Sequence, residues 1–199
     1  FDAGRKAFPI FAQANNISNV TWTAMDPPLR ETMLVRGDVD AITGFTFTSL
    51  LNIEARGVKI DDVVAFQYPD HGVKLYGNAI IASPKMLAEQ PEAVRAFLKA
   101  FTRGVNDVIA DPAAAVDYVK ARDGIINPKL ETRRLKLAID TVINSPSARA
   151  EGFGVTQAAR LALMASQVSD AYKTKTRTNP DAIWNGSFLP SAADLNILK

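Results

Sequence analysis

Residues 34–49 read LVRGDVDAITGFTFTS, and this stretch sets the expected fold. Leu34 closes an apolar helical face that includes Leu29 and Met33, and Gly37 stands where a helix ends in a left-handed glycine. Val39 to Thr43 is a short β-rich run, stopped by Gly44. A second helix is predicted from Thr46 to about Arg56, with Gly57 behind it. Helix, glycine, strand, glycine, helix is the grammar of an α/β protein.

On either side the same alternation continues. Residues 1–16 carry Ala7, Ile10, Phe11 and Ala14 at helical spacing, although Pro9 suits only a first turn. Val20 to Ala24, Val63 to Phe66 and Gly77 to Ala82 read as further strands. Beyond them the pattern turns helical. Ser83-Pro84, Asp111-Pro112 and Asn127-Pro128 each set a capping oxygen before a proline at the first helical position. Val94, Phe97, Leu98, Phe101, Val105, Val108 and Ile109 trace one helical face, and Leu135, Ala138, Ile139 and Val142 trace another. Thr156 is expected to cap a helix bearing Leu161, Met164, Ala165, Val168 and Tyr172.

Composition narrows the function classes. The 199 residues are 47% hydrophobic and 22% charged, which excludes a disordered or fibrous chain. Lys plus Arg number 23 and Asp plus Glu 21, so no basic excess invites nucleic acid. With no Cys and one His, disulfides, thiolate catalysis, iron–sulfur clusters and His-rich metal sites are excluded, and no cofactor is expected. Asp38 and Asp40 lack the other oxygen ligands of a calcium loop.

The passage Leu34 to Gly44, followed by Gly77-Asn78-Ala79-Ile80-Ile81-Ala82-Ser83-Pro84 and Pro91-Glu92-Ala93-Val94-Arg95-Ala96-Phe97-Leu98-Lys99-Ala100, carries a resemblance. In order and spacing these runs resemble the type II periplasmic solute-binding proteins of ABC importers, in the nitrate, sulfonate, taurine and thiamine-pyrimidine branch. The resemblance implies an α/β fold of two lobes with mainly parallel sheets and a helix-rich C-terminal half. Residues 1–70 then form most of the second lobe. Residues 71–199 form the C-terminal part of the first, with Gln67 to Lys74 as the crossing. By the same resemblance the first lobe is incomplete. The opening FDAGRKAFPIF is then expected to continue from a longer N-terminal portion that includes a signal peptide.

The resemblance implies a receptor that binds a small polar or planar organic ligand of sulfonate, pyrimidine or aromatic-acid type. Its implied partner is a membrane permease, on the periplasmic or extracellular face, and it needs no catalytic residue. An exposed edge of the incomplete lobe predicts a dimer. Two other functions share the fold: an enzyme resembling the thiamine-pyrimidine synthase, which uses Cys and a reactive His, and the ligand-sensing domain of a transcription regulator.

Thr43, Gly44, Phe45, Thr46, Thr48 and Ser49 lie where a strand's carboxyl end meets a helix start, the ligand side of an open α/β sheet. The simpler account without the resemblance is a hydroxyl-rich N-cap serving only its own helix. Tyr76 and Asn78 fit either a ligand contact around Gly77 or a turn entering a strand. His71 is a ligand contact or a solvated loop residue. Trp22 and Trp184 read as packing residues, and Lys173 to Arg177 as a solvated helix end.

Overall fold

The computed structural model describes residues 3–197, and its described residues divide between two compact units. The first unit is Phe1–Tyr76 with Ala158–Pro180, and the second is Gly77–Gln157 with Asp181–Lys199.

The first unit holds α1 (Ala3–Ala14), α2 (Arg30–Arg36), α3 (Thr46–Glu54) and α9 (Ala158–Tyr172). α1 continues past Pro9, beyond the first turn to which a proline is expected to be confined. Burial of the next two residues offsets the lost backbone bond, since Ile10 and Phe11 form a core with Val73. Phe8, Tyr68, Leu75 and Ala171 close around that core, and α9 lies against α1. Phe11 stacks on Tyr68 at 4.9 Å between centroids, and the Tyr68 hydroxyl donates to the Gly4 carbonyl at 3.0 Å. Trp22 meets Phe8 edge-on at 5.0 Å, with the Arg5 guanidinium 3.8 Å above its ring. Gly37 ends α2 at φ 76°, the left-handed turn that its position called for.

The second unit holds α4 (Pro84–Glu89), α5 (Pro91–Ala110), α6 (Pro112–Arg122), α7 (Pro128–Ala138), α8 (Pro146–Glu151) and α10 (Ala192–Leu195). The three predicted proline starts are all present. Ser83, Asp111 and Asn127 accept from the backbone N–H groups of Met86, of Ala113 and Ala114, and of Leu130. α8 starts the same way, at Ser145-Pro146. α7 runs on into a π-helical turn, Ile139–Ile143. α9 begins two residues after the Thr156 cap predicted for it. On α5, Val94 is buried while Phe97 and Phe101 of the same apolar face are exposed.

The expected α/β class is not what forms. Among the described residues there is no β-strand, so the mainly parallel sheets implied by the resemblance are absent. The runs Val20 to Ala24, Val39 to Thr43, Val63 to Phe66 and Gly77 to Ala82 are irregular connections. The reason is that a helix satisfies its backbone within itself, whereas a strand exists only against another strand. None of the four runs has a partner ladder, and Val64, Phe66 and Ile81 stand 78%, 63% and 91% exposed.

Candidate functional site

α3 begins at Thr46 because Phe45 adopts an extended conformation, and the Phe45 carbonyl accepts from the N–H groups of Thr48 and Ser49. No side chain of the N-cap residue closes this helix end, so the hydroxyls nearby have other work. Ser49 is buried and its hydroxyl donates to Glu31 Oε1 at 2.9 Å. Arg30 Nε and Nη2 donate to the same oxygen at 3.3 and 3.0 Å. Burial pushes the Glu31 carboxyl up, but the hydrogen bonds from Ser49 and Arg30 and the Arg30 charge outweigh it. The group is held below the usual carboxylate range. Gly44 completes this arrangement, since a Cβ there would lie 2.5 Å from Ser49 Oγ and 3.2 Å from Arg30 Nη2. Phe45 and Phe47 stack beside it at 5.3 Å, with Phe45 exposed.

Thr46 reaches in the other direction. Its Oγ1 accepts from Gln67 Nε2 at 2.9 Å. Gln67 also receives His71: the ring Nδ1 lies 2.9 Å from the Gln67 carbonyl. A carbonyl only accepts, so Nδ1 donates in this contact. The ring sits between Phe11 and Phe66, at 5.7 and 5.5 Å, and Asn15 donates to the His71 carbonyl at 2.9 Å. The first unit thus gathers Thr46 and His71 around one residue, Gln67, which sequence reasoning passed over. Its position just ahead of Tyr68-Pro69-Asp70-His71 was the available signal.

Tyr76 ends a segment clamped onto α9. Gln167 Oε1 accepts from the Lys74 N–H at 3.0 Å, and its Nε2 donates to the Gly72 carbonyl at 2.6 Å. Arg160 Nη2 donates to the Leu75 carbonyl at 2.9 Å, and its guanidinium lies 4.2 Å from the centre of the Tyr76 ring. Nothing in the local pattern pointed to Arg160 or Gln167. Thr43 and Thr48 are half-buried in the first unit, whereas Asn78 belongs to the second, where it is exposed.

An open cavity of about 470 Å³ in the second unit is lined by Ile109, Lys136, Ile139, Asp140, Asn144 and Arg149, and contains none of the predicted residues. Among the described residues no group of three or more His, Cys, Asp or Glu could hold a metal ion. No described helix is long and apolar enough to cross a membrane.

A family profile described as NMT1/THI5 like matches residues 10–115, more than half of the chain. The chain belongs to the NMT1/THI5-like family. The match supports the periplasmic-binding-protein family that the Leu34–Gly44 and Pro91–Ala100 runs resemble, in its nitrate, sulfonate and thiamine-pyrimidine branch. It takes in Glu31, Thr43 to Ser49, Gln67, His71, Tyr76 and Asn78, and leaves Arg160 outside. The riboflavin-binding protein RibY of Chloroflexus aurantiacus is 28% identical over 105 residues, which are 52% of this chain and 29% of that protein. The match therefore spans less than a third of that relative's length. No solved structure matches the chain.

Proposed function

We propose that the chain serves an ABC importer as its solute receptor, on the periplasmic or extracellular face, handing a small polar or planar organic molecule to a membrane permease. The observation that carries this reading is the NMT1/THI5-like match across the Thr46–Gln67–His71 group. The ligand-facing set of the first unit is Thr43, Gly44, Phe45, Thr46, Thr48, His71 and Tyr76. Exposed Phe45 and the Tyr76 ring favour a planar ligand over a bare inorganic anion. The riboflavin-binding relative points the same way, since riboflavin carries a flat ring system.

The chain acts by binding and not by catalysis. It has no Cys and a single His, which argues against the Cys and reactive-His chemistry of the enzyme alternative. Self-association through the exposed run around Ile80 and Ile81 accompanies this role, as an unpaired apolar segment invites another copy.

The test is a thermal-shift screen of the 199-residue chain against sulfonates, pyrimidines, aromatic acids and riboflavin. A ligand at about 100 times its Kd adds about 2.7 kcal/mol to the folded state, enough to raise Tm by several degrees. A flat response to every class rejects the reading.

A further inference from the structure

Arg160 carries a charge that no acidic residue in its own helical turn neutralises. It sits in the first turn of α9, a turn with no acidic residue. A helix N-terminus already bears partial positive charge, so a cation there is unfavourable by itself. The guanidinium is nevertheless held in place. Nη2 donates to the Leu75 carbonyl at 2.9 Å, Nε reaches toward the Lys74 carbonyl at 3.5 Å, and the plane lies 4.2 Å from the centre of the Tyr76 ring. The Nη1 amino group meets no acceptor among the described residues. A half-buried cation, fixed by two backbone carbonyls and an aromatic ring, thus offers free donors where the local field is positive.

We infer that Arg160 is the anion-recognising residue of the ligand site and that the ligand is a planar organic anion. The inference rests on the solute-binding reading above and deepens it. The Nη1 amino group, at the open end of the guanidinium fork, offers charge-assisted N–H donors suited to a carboxylate or sulfonate. Tyr76, fixed in place beneath the cation, supplies the aromatic surface for the ligand's flat body. The anion also neutralises the charge that α9 carries at its start, which an uncharged analogue cannot do. Charge and ring come from one residue pair, so the ligand must carry its anionic group on or close to its planar part.

The test uses the 199-residue chain, calorimetry, and matched probes: pyrimidine and benzene carboxylates, the corresponding sulfonates, and the carboxamides of the same rings. Carboxylates against sulfonates identify the anion. Acids against amides measure what the charge contributes. Wild type is expected to bind at least one acid about tenfold more tightly than its amide, the step that one charge-assisted hydrogen bond supplies. Arg160→Gln should erase that preference, bringing the acid and its amide to within about twofold of each other. Arg160→Lys should keep part of it, because the charge remains and the fork is lost. An unfolding curve for each variant separates loss of the clamp on Leu75 from loss of recognition. Equal binding of acids and amides by wild type, or an acid preference that survives in Arg160→Gln, overturns the inference and leaves the solute-binding reading standing. Absence of binding by every probe to wild type overturns the planar-ligand reading and this inference with it.

Discussion

The Ser49 hydroxyl donates to the Glu31 carboxylate at 2.9 Å, joining α3 to α2 across 18 positions of sequence. Glu31 is only 1% exposed, so this bond and those from Arg30 are what make an interior carboxylate tolerable. Removing either partner has a cost that the other cannot recover. Ser49→Ala should destabilise the chain by about 1–3 kcal/mol, and Glu31→Gln by a similar amount. The figure stays below the ~3–5 kcal/mol of a fully enclosed ion pair. The Arg30 side chain keeps 20% of its surface in water, where it can resolvate. The folded-state carboxyl of Glu31 is held below its unfolded value, so its contribution is complete above the usual carboxylate range. It is lost as pH falls through the depressed folded value. Urea midpoints of wild type and Glu31→Gln should therefore differ at pH 7 and converge in acid; a gap that is constant with pH counts against this account.

Gly44 and Gly77 make opposite predictions. At Gly44 a methyl group would meet Ser49 Oγ at 2.5 Å, and Ser49 cannot turn away without abandoning Glu31. Gly44→Ala is expected to cost about 1–3 kcal/mol, the range for forcing volume into a packed site. At Gly77 nothing lies within 4 Å and φ is not in the left-handed region. Gly77→Ala should change stability by no more than about 0.5 kcal/mol. Equal unfolding midpoints for the two variants would show that the close approach at Gly44 is not what the residue is there for.

Legibility in the sequence tracks how far each feature depends on distant residues. Ser83-Pro84, Asp111-Pro112 and Asn127-Pro128 are self-contained, since the capping oxygen and the proline act within one turn. Ser145-Pro146 carries the same signal, at the head of a six-residue helix. Val39 to Thr43 and Gly77 to Ala82 have strand composition, but composition cannot supply a neighbour, and among the described residues none is present. In the candidate site the same division holds. Thr46 was visible as a hydroxyl at a helix start, whereas its partner Gln67 lies 21 positions on. Arg160 meets Leu75 across 85 positions, with no periodicity to announce it. Glu31 reads as one more surface charge beside Arg30, because its burial is a property of how α2 meets α3.

The exposed run around Ile81 predicts self-association. Ile80 and Ile81 stand 47% and 91% exposed on a segment whose backbone has no ladder partner. Sedimentation velocity should show a dimer that dissociates on dilution. Ile81→Lys should shift the distribution to monomer, because a charge within the exposed apolar run opposes its burial against a second copy. A wild-type chain that sediments as a monomer at every loading concentration removes this proposal and leaves ligand binding untouched.

The ligand side of α3 gives a direct test of the Thr43–Ser49 assignment. The Thr46 hydroxyl is bonded to the Gln67 side chain, and the carbonyl of that same residue faces His71 Nδ1. A ligand hydrogen-bonded to Thr46 therefore competes with or extends the Gln67 contact. Thr46→Ala should weaken binding by about 1–3 kcal/mol, the cost of leaving a ligand group unpaired, while Thr46→Ser keeps the hydroxyl and restores most of the loss. Gln67→Ala frees the Thr46 hydroxyl but leaves the backbone carbonyl that holds His71, so its effect should be smaller than that of Thr46→Ala. Calorimetry against whichever compound stabilises the wild-type chain decides between the two accounts of this helix start. If Thr46→Ala leaves Kd unchanged, the Thr43–Ser49 segment serves only the folding of α3, and the ligand is held elsewhere.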